Sequence, residues 1–230
     1  MSVSEKRLVQ QINCYYDLYA PPGSDPGRSV PLLIALHGYE GNKESMMRLA
    51  RAVNERDWLI AAPQGPYQFL AARRPEQGEP RVGFGWLTPY RAAESVALHH
   101  RNLLDLIEDV AGQFNLDRSK LFLMGFSQAV GANYRFVFSH PNLIRGVVAV
   151  CGGIPGNFQT GPYDSSATDV LHIATTADEF YPLERARTFP AALAERARAV
   201  EFLTYEGGHV FPREALPAIN EWLLARVREA

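Results

Sequence analysis

The sequence predicts an α/β fold: a mostly parallel, doubly wound sheet with helices on both faces and an antiparallel N-terminal edge. Two observations carry this. Apolar runs of four to seven residues recur along the chain, each closing on a Gly-rich or Pro-rich turn, and longer amphipathic segments separate them. Strands that are apolar at nearly every position are those buried on both sides, which is the condition of a parallel sheet covered by helices. With 230 residues, 47% apolar and 21% charged, the chain can bury the core of one large α/β domain, expected to span 1–230.

In chain order, INCYYDLYAPP from Ile12 reads as the antiparallel edge strand, ahead of a Pro- and Gly-rich turn at 21–27. The strands of the main sheet are then expected at LLIALHGY from Leu32, WLIAAPQG from Trp58, KLFLMGFS from Lys120, GVVAVCGG from Gly146, VLHIATTAD from Val170 and VEFLTYEGG from Val200. Helices are predicted at about 43–56, 91–114, 128–139, 182–198 and 213–228. Two stretches, 63–89 and 152–168, are longer than a compact α/β connection requires and read as walls of a binding site.

The net charge is −2 with both signs mixed along the chain, so there is no basic stripe for a nucleic acid backbone. No run reaches the length of a membrane span, and the opening MSVSEKRLVQQ lacks the apolar segment of a secretory signal. Cys14 and Cys151 are read as free thiols in a reducing cytoplasm. The sequence leaves an assembly of identical chains open.

In an open parallel sheet, ligands bind at the carboxyl ends of the strands. Ser127 lies there, in Gly125-Phe126-Ser127-Gln128-Ala129. This is close to the G-x-S-x-G elbow, in which a tight strand-to-helix turn lifts a nucleophilic hydroxyl above the sheet. Ala129 stands where the second glycine is expected. A serine needs a base, and the base needs an orienting acid. Of the histidines beyond Ser127, His172 is expected in the core and His140 at a helix end. His209, in the turn Glu206-Gly207-Gly208-His209 after the last strand, is the candidate base. Asp178, just past the strand from Val170, is the candidate acid. Asp164 in the preceding loop and Glu179 next door are its competitors, and Asp169 is at the wrong end of the strand. The N–H of Gln128, at a helix start, and that of Tyr39, in His37-Gly38-Tyr39-Glu40-Gly41-Asn42, are candidate oxyanion donors. His37 is expected to brace that loop. His99 and His100, adjacent on a helix, read as packing or exposed residues rather than metal ligands.

With LHGYEGN, GFGWL, GFSQ, the Ala177-Asp178 turn and GGH before a terminal helix in view, the chain resembles α/β-hydrolases of the phospholipase/carboxylesterase family, which includes acyl-protein thioesterases. The resemblance runs from about Leu32 to the C-terminus. It implies an α/β-hydrolase fold, Ser127, Asp178 and His209 as the triad, and Tyr39 and Gln128 as the oxyanion hole. It also implies Trp86 and Phe84 as pocket-lining residues, and no metal or organic cofactor. The chain departs from the family pattern at Ala129, at Glu40 where a small residue is usual, and at Leu87 and Thr88 where an acidic residue usually follows the tryptophan. The expected activity is hydrolysis of soluble short- to medium-chain carboxylic esters through an acyl-enzyme. A lapsed hydrolase that binds a ligand, and an acyltransferase or thioesterase, are the alternatives.

Overall fold

The computed structural model describes residues 3–22, 27–71 and 81–229. Parts of the expected turn at 21–27 and of the expected wall at 63–89 therefore lie outside the described residues. Seven strands form one sheet in the order β1-β3-β2-β6-β7-β8-β9. They are β1 (Tyr16–Tyr19), β2 (Val30–Leu36), β3 (Leu59–Pro63), β6 (Leu116–Phe126), β7 (Gly146–Val150), β8 (Ser166–Thr175) and β9 (Ala197–Tyr205). Within this sheet β1 runs antiparallel to β3, and the other described pairs are parallel.

Residue alternation along these strands divides the core into two layers. Leu32, Ile34, Leu36, Leu121, Leu123, Val147 and Ala149 pack beneath α2 (Ala92–Gln113) and α3 (Gln128–Ser139). Leu33, Ala35, Phe122, Met124, Val148 and Val150 face the other way, toward α1 (Lys43–Val53) and α6 (Leu216–Arg228). Strands buried on both sides need apolar residues at odd and even positions alike, which is why the sequence shows continuous apolar runs rather than alternation.

The helix expected at 182–198 is instead two short helices, α4 (Leu183–Ala186) and α5 (Phe189–Ala194), and β9 starts at Ala197. Pro190 falls in the first turn of α5. Without an N–H it could not continue the ladder of a longer helix. The Thr188 hydroxyl donates to the Arg185 carbonyl (2.7 Å) at the break. The stretch 63–89 holds a two-stranded antiparallel hairpin, β4 (Tyr67–Leu70) with β5 (Val82–Gly85). The last helix is preceded by a 3-10 turn, Arg213–Ala215.

Candidate active site

β6 ends at Phe126, and Ser127 follows with φ 55° and ψ −117°, a conformation rare for a residue with a side chain. Its N–H donates to the Val150 carbonyl (2.9 Å) at the end of β7, and α3 begins at Gln128. The strained turn is thus held from below by the neighbouring strand while the side chain faces outward. A Cβ on Gly125 would lie 2.7 Å from Asn133 Nδ2 and 3.3 Å from the Ala129 methyl. The elbow therefore needs glycine at 125. With that space open, the methyl of Ala129 fits, fully buried in the layer under α2 and α3.

His209 follows β9 and Asp178 follows β8, so both emerge on the same edge of the sheet as Ser127. His209 Nε2 lies 2.7 Å from Ser127 Oγ, and Nδ1 lies 2.8 Å from Asp178 Oδ2. Asp178 is buried. Its other oxygen accepts the N–H groups of Phe180 (2.9 Å) and Tyr181 (2.8 Å), which fixes the carboxylate plane. The backbone N–H of His209 donates to Glu179 (3.1 Å). Asp164 is exposed and touches none of these groups, while Asp169 binds Arg145 and Arg198 at the far end of β8. In this line the imidazole can take a proton from the serine while the aspartate holds the Nδ1–H tautomer.

Tyr39 and Gln128 flank the serine. A Cβ on Gly38 would come 2.8 Å from the Phe126 ring and 3.1 Å from Ser127 Cβ, so the Tyr39 loop approaches the elbow as closely as backbone allows. The N–H groups of Tyr39 and Gln128 donate to no group among the described residues. His37 braces this loop: Nδ1–H donates to the Gly38 carbonyl (2.7 Å) and Nε2 accepts the Gly65 N–H (2.9 Å). Burial lowers its pKa, which keeps it in this neutral form.

Trp86 is not a pocket residue. Its ring is fully buried between His37 and His99, and Nε1 donates to the His37 carbonyl (2.7 Å). Phe84 is half-buried and outside the cleft lining, and its carbonyl accepts the Glu40 N–H (2.9 Å). The GFGWL segment is therefore scaffold for the Tyr39–Glu40 loop. The side chain of Gln128 completes it, accepting the Trp86 N–H (2.8 Å) and donating to the Leu87 carbonyl (3.1 Å). The cleft above Ser127, about 1000 Å³, is walled instead by Tyr39, Leu87, Phe126, Ile154, Phe180 and Tyr181. Phe126, Phe180 and Tyr181 also pack against the His209 ring, with centroids 5.0, 4.8 and 5.8 Å away. The aromatic pair two and three residues after Asp178 was the available signal for Phe180 and Tyr181. A second cavity of about 460 Å³, beside Trp58 and Asp117, opens at the amino ends of the strands and is remote from Ser127.

Four histidines lie away from this centre. His172 is buried in the core with Nδ1 2.9 Å from the Tyr134 hydroxyl, His99 is buried under Trp86, His140 caps the end of α3, and half-buried His100 places Nδ1 3.2 Å from His140 Nε2. Among the described residues no group of three or more His, Cys, Asp or Glu is placed to hold a metal ion.

A parallel sheet carrying a positive-φ serine after one strand, with histidine and aspartate beyond later strands, defines an α/β-hydrolase. More narrowly, the chain belongs to the serine hydrolase (FSH1) family, whose profile matches residues 32–218. No curated protein matches the sequence. Among solved structures it is similar to esterase PE8 (20% identity, TM-score 0.74, covering 93% of this chain and 99% of that one). It is also similar to the carboxylesterase of Bacillus cereus (19%, 0.71, 93% and 94%) and a phospholipase/carboxylesterase of Dyadobacter fermentans (17%, 0.67, 92% and 95%). At these identities the likeness is one of fold, and in that respect the resemblance read from the sequence holds.

Proposed function

We propose that this serine hydrolase cleaves carboxylic esters, with Ser127 as nucleophile, His209 as general base and acid, and Asp178 as the group that orients His209. The observation that carries the reading is the unbroken line Ser127 Oγ, His209 Nε2, His209 Nδ1, Asp178 Oδ2, with contacts of 2.7 and 2.8 Å. Ser127 Oγ attacks the ester carbonyl as its proton passes to His209 Nε2. The carbonyl oxygen gains negative charge and is received by the N–H groups of Tyr39 and Gln128. Collapse of this intermediate expels the alcohol, which takes the proton from His209. Water then attacks the acyl-enzyme, gives its proton to the same nitrogen, and the acid leaves as the serine is restored.

The size of the cleft, about 1000 Å³, suits a small organic ester. Soluble short- to medium-chain esters fit it, and among the described residues no helix is long and apolar enough to cross a membrane. Cys14 and Cys151 are both unpaired, in keeping with a reducing cytoplasm. On this reading Ser127→Ala lowers turnover of nitrophenyl esters by about 10⁴-fold or more without loss of fold. Initial rates across acyl lengths, with circular dichroism as the folding control, test this. A variant within tenfold of the wild type would remove the mechanism.

A further inference from the structure

The charges lining the cleft are unbalanced. Arg81 faces Glu40 at 3.8 Å, and these two largely cancel. His209 is already engaged with Asp178. Arg135 and Arg185 also line the cleft, and among the described residues neither meets a carboxylate. Arg135, half-buried on α3, uses one Nη1 donor on the Gly131 carbonyl (3.1 Å). A guanidinium has five N–H donors in a rigid fork, so most of its donors stay open. This bond folds the guanidinium back along α3 toward its N-terminal end, and a Cβ on Gly131 would lie 3.6 Å from Nη1 and 3.3 Å from the Gly153 carbonyl oxygen. Its uncompensated charge is felt nearby. Burial, then His140, then Arg135 bring the pKa of His100 down to about 4.

Gly131 is four residues beyond Ser127, so the carbonyl that holds the guanidinium belongs to the first turn of α3, about 6 Å in axial rise from the serine's backbone. Arg185, exposed at the end of α4, adds a second positive charge at the mouth. We infer that the substrate of this site is an ester with a second, anionic group, a carboxylate or a phosphate, received by Arg135 in the same cleft as the scissile carbonyl. The inference rests on the ester-hydrolase reading and specifies its substrate class. A planar fork against a carboxylate or phosphate gives paired, charge-assisted hydrogen bonds, stronger than those of a neutral contact.

Two matched pairs of esters test it. The first pair is the nitrophenyl monoester of glutaric acid against nitrophenyl pentanoate, equal in chain length and differing in a terminal carboxylate on the acyl side. The second is the acetyl ester of hydroxyphenyl phosphate against phenyl acetate, which puts a phosphate on the alcohol side. For at least one pair, kcat/KM is expected to favour the anionic member by about tenfold or more, a factor ordinary for one charge-assisted pair. The pair that responds tells which arrangement, a carboxylate on the acyl side or a phosphate on the alcohol side, the site receives. Arg135→Gln should bring that ratio close to one, Arg135→Lys should keep part of it, and Arg185→Gln, at an exposed position, should reduce it with the fold unperturbed. Turnover that depends on Ser127 but shows no preference for charge in either pair would overturn this inference and leave the ester reading standing. So would a preference unchanged in both glutamine variants. Absence of Ser127-dependent turnover on all four esters would overturn both.

Discussion

Acidification should unfold this protein through histidines that take no part in the proposed reaction. His172 is enclosed by Tyr134, Phe189 and Phe202, and burial lowers its pKa from 6.5 to about 4. His99, beneath Trp86, falls to about 3, first through burial and then through the charges of His100 and Arg135. Both folded values lie below the unfolded one. The stability tied to neutral rings is therefore complete above about pH 6.5 and is lost as pH falls toward the folded pKa, because the unfolded chain takes up the protons first. Between pH 7.5 and 5 each ring costs about 2 kcal/mol, and the two together about 4 kcal/mol. Half-buried His100 adds a smaller share. For a chain of this length that corresponds to a fall in Tm of roughly 8–16 °C. Thermal melts by circular dichroism at pH 7.5, 6 and 5 measure it. The double variant Tyr134→Phe, His172→Phe removes both partners of the 2.9 Å contact together, leaving no orphaned polar group. It should lose about half of the two-ring pH dependence. A double variant whose Tm falls with pH as steeply as the wild type's would refute the idea that burial holds His172 neutral. For kinetics this means that a fall in rate on acidification can be separated from loss of fold only at pH values where the melts show the protein folded.

Other expectations follow from the site. Asp178→Asn should lower kcat by about 10⁴-fold, since an amide presents the wrong partner to Nδ1, whereas Asp164→Asn, exposed and remote from His209, should stay near wild-type rates; steady-state kinetics on one nitrophenyl ester separates them. Ala129→Gly removes a buried methyl and adds backbone freedom in the first turn of α3, so urea unfolding should show a loss of about 1–2 kcal/mol. Its turnover should change little, because the elbow already accommodates the methyl. Gln128→Glu keeps the acceptor for the Trp86 N–H but sets a carboxylate oxygen against the Leu87 carbonyl. A fall in kcat of about tenfold is expected, with a shift in tryptophan emission as GFGWL loosens.

How far the sequence foretold these features depends on the range of the interactions involved. The main strands were legible because double burial demands uninterrupted apolar residues, and α3 was placed at 128–139 because the elbow itself starts it. Ser127 and His209 stand in short local patterns, and Asp178 followed from its place just past a strand. The hairpin of β4 and β5 was not legible: Tyr67–Leu70 is half-exposed and short, and its pairing with Val82–Gly85 spans a Pro- and Gly-rich stretch that reads as loop. Pro190 inside the segment 182–198 is a visible reason for the helix to break there, which the prediction of one continuous helix left aside. Trp86 shows the limit of carrying roles from a resemblance. An aromatic residue beside a site can form its wall or its support, and only the path of the backbone decides between them.

The position of β9 has a consequence for how the protein would fail. Among the described residues this strand pairs only with β8; it carries several exposed residues, and His209 sits four residues beyond its end. The loop is fastened by the Ala177 N–H to the Gly207 carbonyl, by the Thr175 hydroxyl to the Gly208 carbonyl and by Cys151 to the Val210 carbonyl. Border strands open at lower free energy than the middle of a sheet. Under gentle heat or denaturant, His209 would be withdrawn from Ser127 while β2, β6 and β7 are still intact. Catalysis would then vanish before the spectrum of the folded chain changes, which makes activity a local gauge of one margin of the sheet.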